Sequence, residues 1–292
     1  MKNGASPLCV ACQNKHIEIV KLLLENNADI DKCTNKGISP LFVACEYNNI
    51  EIVNILLENK ADINKSTDLG ESPLFRACMR NHVGTVKVLL NNKADINKCD
   101  KRGELPLVMA CENNNKAIVR MLLYNKANIN ICSNNGVTPL FVACQKNRIE
   151  IIQVLLENKA DINKCTYDGA SPLFIACKNN HLEVVNILLD NKSDVNKCLT
   201  NGTSPLLIAC QNNHIEIVKL LLDNESDINK CNADGASPLF VAFMTNNKDI
   251  VKILEENAAD SNYALTIMRQ LISATNKEIV YEREIDDQSV HK

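Results

Sequence analysis

Residues 37–65 read GISPLFVACEYNNIEIVNILLENKADINK, and close variants of this phrase recur along most of the 292-residue chain. All eight prolines, from Pro7 to Pro238, are spaced 33 residues apart, and eight of the nine glycines keep the same spacing. A fixed period of this length indicates a repeat protein, in which each unit stacks on its neighbours. The period divides the first part of the chain into eight repeats: 1–33, 34–66, 67–99, 100–132, 133–165, 166–198, 199–231 and 232–264.

Each repeat carries the signals of two short helices. Ser39 suits a helix N-cap and Pro40 suits the first helical position. Ile50 and Val53 begin an apolar series at helical spacing, which predicts a second helix with one apolar face. We expect this helix to end at Asn59, because asparagine tolerates the left-handed conformation that closes many helices. The polar segment up to the next glycine is too short for a third helix and predicts a hairpin or loop.

These residues resemble the ankyrin repeat, a likeness that rests on Ser39-Pro40-Leu41, Ala44-Cys45, Ile52-Val53, Leu56-Leu57 and Ala61-Asp62. The resemblance covers residues 1–264 and implies an all-α solenoid, with a helix-turn-helix and a β-hairpin or loop in each repeat. The histidine that follows Pro-Leu in the family is mostly phenylalanine here, so we expect apolar packing to replace its hydrogen bond. Two family glycines are mostly Asn or Lys. The resemblance also implies that hairpin asparagines such as Asn64 are candidates for hydroxylation.

Charge, hydropathy and cysteine spacing exclude several classes of protein. The net charge is −3 with no block of like charges, which argues against binding to nucleic acid. No apolar run is long enough for membrane insertion. The fourteen cysteines include one series from Cys12 to Cys210 and another from Cys33 to Cys231, each with a 33-residue period. Neighbours in a series would lie about 8–10 Å apart, too far for a disulfide. We therefore expect reduced thiols and a cytoplasmic protein.

The histidines do not predict a catalytic or metal site. Four of the five share one position in the turn between the helices, where a residue hydrogen-bonded to backbone is the simplest interpretation: His16, His82, His181 and His214. Each lies four residues after a cysteine, but a structural zinc site needs about four ligands and each repeat supplies two. No glycine-rich phosphate loop is present. We predict a non-enzymatic protein with no cofactor.

Positions that differ between repeats are free to carry specificity. In the ankyrin family the partner usually lies on the concave face, formed by hairpin tips and the first helices, and binding hot spots favour aromatic and arginine residues. On this basis we predict a site for a protein partner across repeats two to four, at Ile38, Tyr47, Leu69, Met79, Arg80, Arg102 and Glu104. The alternative is neutral variation of an exposed surface.

The same repeats break three rules of the pattern. Leu105 stands where the other copies have Ser or Thr, so the helix loses an N-cap worth about 1 kcal/mol. Gly84 lies inside a helix, at a cost of up to about 1 kcal/mol. Arg76 occupies a position that is otherwise apolar, and a buried arginine needs a carboxylate partner. We expect that partner to be Glu71 or Glu104.

The repeat pattern stops near residue 264. Residues 265–280 have the spacing of an amphipathic helix and are predicted to cap the repeats, with a docked partner-binding helix as the alternative. Residues 281–292 are predicted to be disordered.

The sequence as a whole predicts a monomeric scaffold or adaptor that binds a protein on the concave face of its repeats. An alternative is a regulatory ankyrin segment of a larger protein, of the channel or kinase type, that makes intramolecular contacts. The start of the sequence inside a repeat favours this alternative, whereas the acidic, tapering end favours a complete chain.

Overall fold

A computed structural model describes residues 4–259 of the chain. These residues form α-helices joined by turns and loops, and no strand occurs among them. The first helix of each pair has seven residues and the second has nine. The helices are α1 Pro7–Gln13, α2 Ile17–Glu25, α3 Pro40–Glu46, α4 Ile50–Glu58, α5 Pro73–Met79, α6 Val83–Asn91, α7 Pro106–Glu112, α8 Lys116–Tyr124, α9 Pro139–Gln145, α10 Ile149–Glu157, α11 Pro172–Lys178, α12 Leu182–Asp190, α13 Pro205–Gln211, α14 Ile215–Asp223, α15 Pro238–Met244 and α16 Lys248–Glu256.

The described residues divide into two units, the first ending at residue 167 and the second beginning at residue 168. In the first unit each helix pair packs on the next, so that α5 contacts α7 and α4 contacts α6. The same arrangement recurs in the second unit, where α13 contacts α15 and α14 contacts α16. The prediction of an all-α fold built from repeated helix pairs is confirmed.

The first helix of a repeat begins as the sequence predicts. The Ser39 Oγ accepts a hydrogen bond from the Phe42 backbone N–H at 3.1 Å, and Pro40 occupies the first helical turn. Phe42 and Cys45 are buried on the inner side of this helix. The phenylalanine at the position of the family histidine is therefore part of the apolar core, as expected.

The second helix ends differently from the prediction. Asn59 has φ −85°, and the left-handed residue is Lys60, with φ 68°. The expectation of a left-handed Asn59 was wrong, because this side chain has another role: its Nδ2 donates to the Ile55 carbonyl oxygen at 2.8 Å across the last helical turn. The left-handed conformation falls instead on the position where the family has glycine, at a cost in backbone strain.

The loops after the second helices are held to one another across repeats. Within one loop, Gly37 (φ 70°) allows a tight turn that the Thr34 N–H closes on the Ile38 carbonyl oxygen at 2.9 Å. Between loops, the Asn64 Oδ1 accepts from the Asp95 backbone N–H at 2.8 Å. These bonds set the position of each loop relative to the loop of the next repeat. They therefore also set the positions of the side chains at the loop tips.

Replacing Gly84 with alanine is expected to raise the free energy of unfolding by about 0.5–1 kcal/mol, because glycine is a poor helix former. A Cβ at this position would lie 2.5 Å from Cδ1 of Ile50, an exposed side chain whose end is free to move. Gly70→Ala is the matched control and is expected to destabilise, since Gly70 has φ 83° and faces the Lys101 backbone nitrogen. Urea unfolding of both variants checks the prediction, and a destabilised Gly84→Ala would contradict it.

Leu105 has no side-chain cap bond but is only 2% exposed. Burial of this side chain offsets the lost cap. A buried leucine contributes about 2 kcal/mol or more to the free energy of unfolding, whereas an N-cap contributes about 1 kcal/mol. Leu105→Ser, which restores the residue of the other repeats, is therefore expected to lower the unfolding free energy by about 1–2 kcal/mol. Ser39→Ala is the control for the cap alone, and urea unfolding of both gives the comparison. A stabilised Leu105→Ser would show that the cap outweighs the burial.

The predicted cap at residues 265–280 and the predicted disordered segment at residues 281–292 lie outside the described residues. Among the residues that are described, none of the helices has the length and hydropathy required to cross a membrane.

Candidate functional site

The first unit contains a groove of about 390 Å³ between the first helices of repeats one to three and the adjoining loops. Its floor is apolar and includes Phe42 and Val43, while arginine and glutamate side chains lie at one end. The lining residues are Ala5, Cys9, Gln13, Thr34, Ile38, Phe42, Val43, Glu46, Tyr47, Arg76 and Arg80. We refer to this set as the repeat 1–3 groove.

Tyr47 is the aromatic side chain at the rim of the groove. It directly follows α3 and is 43% exposed. Gln13, from the preceding repeat, donates from its Nε2 to the Tyr47 hydroxyl oxygen at 3.2 Å. This bond holds the ring in place before any partner arrives, which lowers the entropy lost on binding.

A network of charged arginine and glutamate side chains lies at one end of the groove. Arg76 Nε lies 3.0 Å from Glu46 Oε2, and the same guanidinium pairs with the Glu71 carboxylate. Arg80 Nε donates to Glu46 Oε1 at 2.9 Å. The Arg76 guanidinium carbon also lies 5.1 Å from the centre of the Phe42 ring, within the range of a cation–π interaction. Two arginines and two glutamates thus compensate one another at this end.

The network confirms one expected partner of Arg76 and corrects the other. Glu71 pairs with Arg76, as predicted, whereas Glu104 does not. The second carboxylate is Glu46, at the end of the first helix of the preceding repeat. Side chains on a helix point toward its N-terminus and over the preceding turn. The Arg76 side chain accordingly meets α3 and the start of its own helix, and Glu104 belongs to a different loop.

Leu69, Arg102 and Glu104 lie on two neighbouring loop tips. The Lys101 N–H donates to the Leu69 carbonyl oxygen at 2.9 Å, which holds these tips together. Arg102 Nε donates to Oδ2 of the buried Asp100 at 3.0 Å. Burial raises the pKa of the Glu104 carboxyl, and the positive charge of Arg102 partly opposes this shift. Leu69, 64% exposed, is the apolar residue of this second cluster.

The seven predicted partner-binding residues therefore fall into groups. Ile38, Tyr47 and Arg80 line the repeat 1–3 groove, and Leu69, Arg102 and Glu104 form the cluster on the loop tips. Met79 is half-buried at the end of α5, where its carbonyl oxygen accepts from Asn113 Nδ2 at 2.8 Å.

The predicted partner-binding residues do not include other members of the groove, among them Gln13, Phe42 and Glu46. A signal for Glu46 was present: an arginine at an apolar position needs carboxylates, and Glu46 ends the first helix of the preceding repeat. The sequence pattern does not give the distance and rotation between stacked repeats. That geometry decides whether side chains from successive first helices come into contact.

The turn histidines bond to backbone, as predicted, at two of the shared positions. His82 Nε2 lies 3.0 Å from the Glu46 carbonyl oxygen, and His214 Nδ1 lies 2.9 Å from that of Cys177. Each joins one helix pair to the preceding pair. Residues 4–259 contain no group of three or more His, Cys, Asp or Glu side chains arranged to hold a metal ion.

Comparison with protein families agrees with this geometry. A family model described as ankyrin repeats (3 copies) matches residues 1–67, 63–132, 124–198 and 191–264. The chain belongs to the ankyrin repeat family. A comparison with curated proteins gave no match. Ankyrin repeats are generally non-catalytic modules that mediate protein–protein interaction.

Proposed function

We propose that this chain is a non-enzymatic scaffold or adaptor in the cytoplasm, and that it binds a protein partner in the repeat 1–3 groove, on the face that the ankyrin family uses as its concave surface. The observation that carries the proposal is the groove itself, which joins an apolar floor to a fixed tyrosine and a half-exposed arginine. Leu69, Met79, Arg102 and Glu104 extend the surface toward repeat four.

The side chains of the groove suit the recognition of a protein. Tyrosine and arginine are enriched among binding hot spots because each combines a large contact area with hydrogen-bonding capacity. Tyr47 and Arg80 are already held by Gln13 and Glu46, so binding requires little further ordering. The Ile38 and Val43 side chains beside them provide apolar area for a partner to cover.

The proposal is tested by site-specific photo-crosslinking with p-benzoylphenylalanine in place of Tyr47. Tyr124 is the matched control, since it is also a tyrosine at a helix end and is 88% exposed. In lysate from the source cells, the probe at Tyr47 is expected to crosslink a partner that the probe at Tyr124 does not. Equal labelling from both positions would contradict a site in the groove.

The partner identified in this way then allows an affinity measurement. Tyr47→Ala and Arg80→Ala are each expected to weaken binding at least tenfold, because a hot-spot residue contributes about 2 kcal/mol. Tyr124→Ala is expected to leave the affinity unchanged. If both groove variants bind as tightly as the unaltered chain, while melting at the same temperature, the proposal fails.

A further inference from the structure

The second helices of repeats three and four differ in charge from those of the other six repeats. In those six, both the second and the ninth residue of the helix are acidic. At the same two positions α6 has Gly84 and Asn91, and α8 has Ala117 and Tyr124. The two helices together carry three basic residues and no acidic one, whereas each of the other six has a net negative charge.

The fifth residue of a second helix lies on the same face as the second residue, one turn later. Where this fifth residue is a lysine in repeats one and seven, it is paired with that acid. The Lys21 Nζ lies 2.9 Å from Glu18 Oε1, and the Lys219 Nζ lies 2.8 Å from Glu216 Oε1. In α16 the lysine at this position pairs instead with the acid that ends the helix.

Lys87 and Arg120 occupy the same position in α6 and α8, and both are exposed. Gly84 and Ala117 stand three residues before them, so the pair seen in repeats one and seven cannot form. Among residues 4–259, no ion pair joins either side chain to a carboxylate. Because α6 packs on α8, equivalent residues of the two helices lie about 8–10 Å apart. Two unpaired cations are thus neighbours on this surface.

An aromatic and an apolar side chain lie on the same surface. Tyr124, at the end of α8, is 88% exposed, and Val83, at the start of α6, is 41% exposed. We refer to Val83, Lys87, Arg120 and Tyr124 as the α6/α8 patch. None of the four lines the repeat 1–3 groove, which is formed by first helices and loops.

We propose that the α6/α8 patch binds an acidic segment of a protein partner, with carboxylates of the segment opposite Lys87 and Arg120. Each cation then gains a charge-assisted hydrogen bond that it lacks in the free chain. Arginine and tyrosine are residue types enriched at binding hot spots, and Tyr124 offers a large area for the partner to cover. The site is additional to the groove and does not depend on the proposed function.

The borders of the patch favour a short acidic segment over an extended polyanion. Exposed carboxylates lie on both sides, at Glu51 and Glu58 of α4 and at Glu150 and Glu157 of α10. On the repeat-five side, the Lys116 Nζ is already 3.0 Å from Glu150 Oε2. The patch is two helices wide, about 20 Å. Nucleic acid or an anionic membrane would also cover the bordering carboxylates and be repelled by them.

The absence of the acids has a cost in helix stability. Gly84 is a poor helix former, and α6 also lacks the ion pair between the second and fifth residues that stabilises α2 and α14. Departures from the rules of stability commonly occur at functional sites. Free cations for a partner are a function that this departure serves.

Fluorescence anisotropy of the full chain with a labelled acidic peptide tests the proposal. The probe is a helical peptide of glutamate, alanine and leucine, about 14 residues long so that it spans the patch. Lys87→Glu/Arg120→Glu is expected to weaken binding at least about tenfold. Lys21→Glu/Lys219→Glu reverses the same number of charges at the same helix position, and is expected to change it less than about twofold. A peptide with lysine in place of glutamate is expected not to bind.

A second variant tests whether the cations must be unpaired. Gly84→Glu/Ala117→Glu restores the acids of the other repeats and keeps both cations, and is also expected to weaken binding about tenfold because each cation gains a partner on its own helix. Asn54→Glu/Asn186→Glu adds the same charge at exposed positions of other second helices and is expected to bind the peptide normally. Circular dichroism and melting establish that all the variants are folded.

Three results would each overturn the proposal. They are an unaltered chain that does not bind the acidic peptide, an equal loss of binding in the two charge-reversal variants, and tighter binding of duplex DNA or phosphatidylserine vesicles than of the peptide. Tyr47→Ala is expected to bind the peptide as the unaltered chain does, which separates this site from the groove. Tyr124 remains a valid control for the groove, because the acidic segment belongs to a different partner.

Discussion

Replacing Arg76 with valine, the residue of several other repeats, is expected to lower the free energy of unfolding by about 2–3 kcal/mol. The arginine side chain is only 16% exposed, and its partner Glu71 is only 9% exposed. Removing the arginine leaves the Glu71 carboxylate buried without a cation, while Glu46 keeps Arg80. The loss is smaller than for a fully enclosed ion pair, because water still reaches the edge of this one. Urea unfolding monitored by circular dichroism measures the change.

The repeats themselves supply the control for this prediction. Alanine occupies the position of Glu71 in three other repeats. The double variant Arg76→Val/Glu71→Ala therefore restores the apolar arrangement and is expected to lie within about 1 kcal/mol of the original stability. Arg80 also pairs with the Glu46 carboxylate, but its side chain is half-exposed. Arg80→Ala should therefore lower the free energy of unfolding by less than about 1 kcal/mol. A double variant less stable than Arg76→Val alone would show that the carboxylate does not need the arginine.

The fourteen thiols are expected to separate into two classes when the native protein meets a thiol reagent at neutral pH. Eight cysteines are buried: Cys9, Cys12, Cys45, Cys78, Cys111, Cys144, Cys177 and Cys210. The other six are at least partly accessible: Cys33, Cys99, Cys132, Cys165, Cys198 and Cys231. Burial raises the pKa of Cys12 to about 12 and that of Cys45 further upward, so these thiols carry almost no reactive thiolate.

The measurement is a time course with a chromogenic disulfide reagent, followed by mass spectrometry of the labelled peptides. Six thiols are expected to react promptly and the eight buried ones at least about a thousandfold more slowly, since they react only when the structure opens. All fourteen should react in denaturant. Among the six, Cys99 is exposed and should react before Cys33 and Cys198, whose pKa burial raises. Prompt labelling of Cys45 or Cys78 would contradict the packing described above.

Much of the fold is predictable from the sequence because the information is local and repeated. A serine before a proline starts the first helix at Pro40, and the apolar series starts the second at Ile50, as the structure has them. Each copy repeats the evidence of the others, so that an irregular residue such as Leu105 does not obscure the pattern. The position of the left-handed residue was missed, because Asn59 has a second use as a donor across its own helical turn.

The candidate site is predictable only in part. The pattern singled out Tyr47 and Arg80 by residue type and position, and both line the groove. It did not reveal Gln13 on the Tyr47 hydroxyl or Glu46 between two arginines. Those contacts join residues about one repeat apart, and they depend on the distance and rotation between stacked helices. No local propensity encodes that geometry.

The loop bond from Asn64 to the Asp95 backbone is one of several with the same spacing: Asn130 accepts from Asp161, and Asn196 from Asp227, each at 2.8 Å. The donor and acceptor are the same at each of these joints, so a gene that gained or lost 33 codons between them would rejoin surfaces that already fit. The number of repeats can thus change by recombination without a new interface having to evolve, and a binding surface can lengthen or shorten in steps of one repeat.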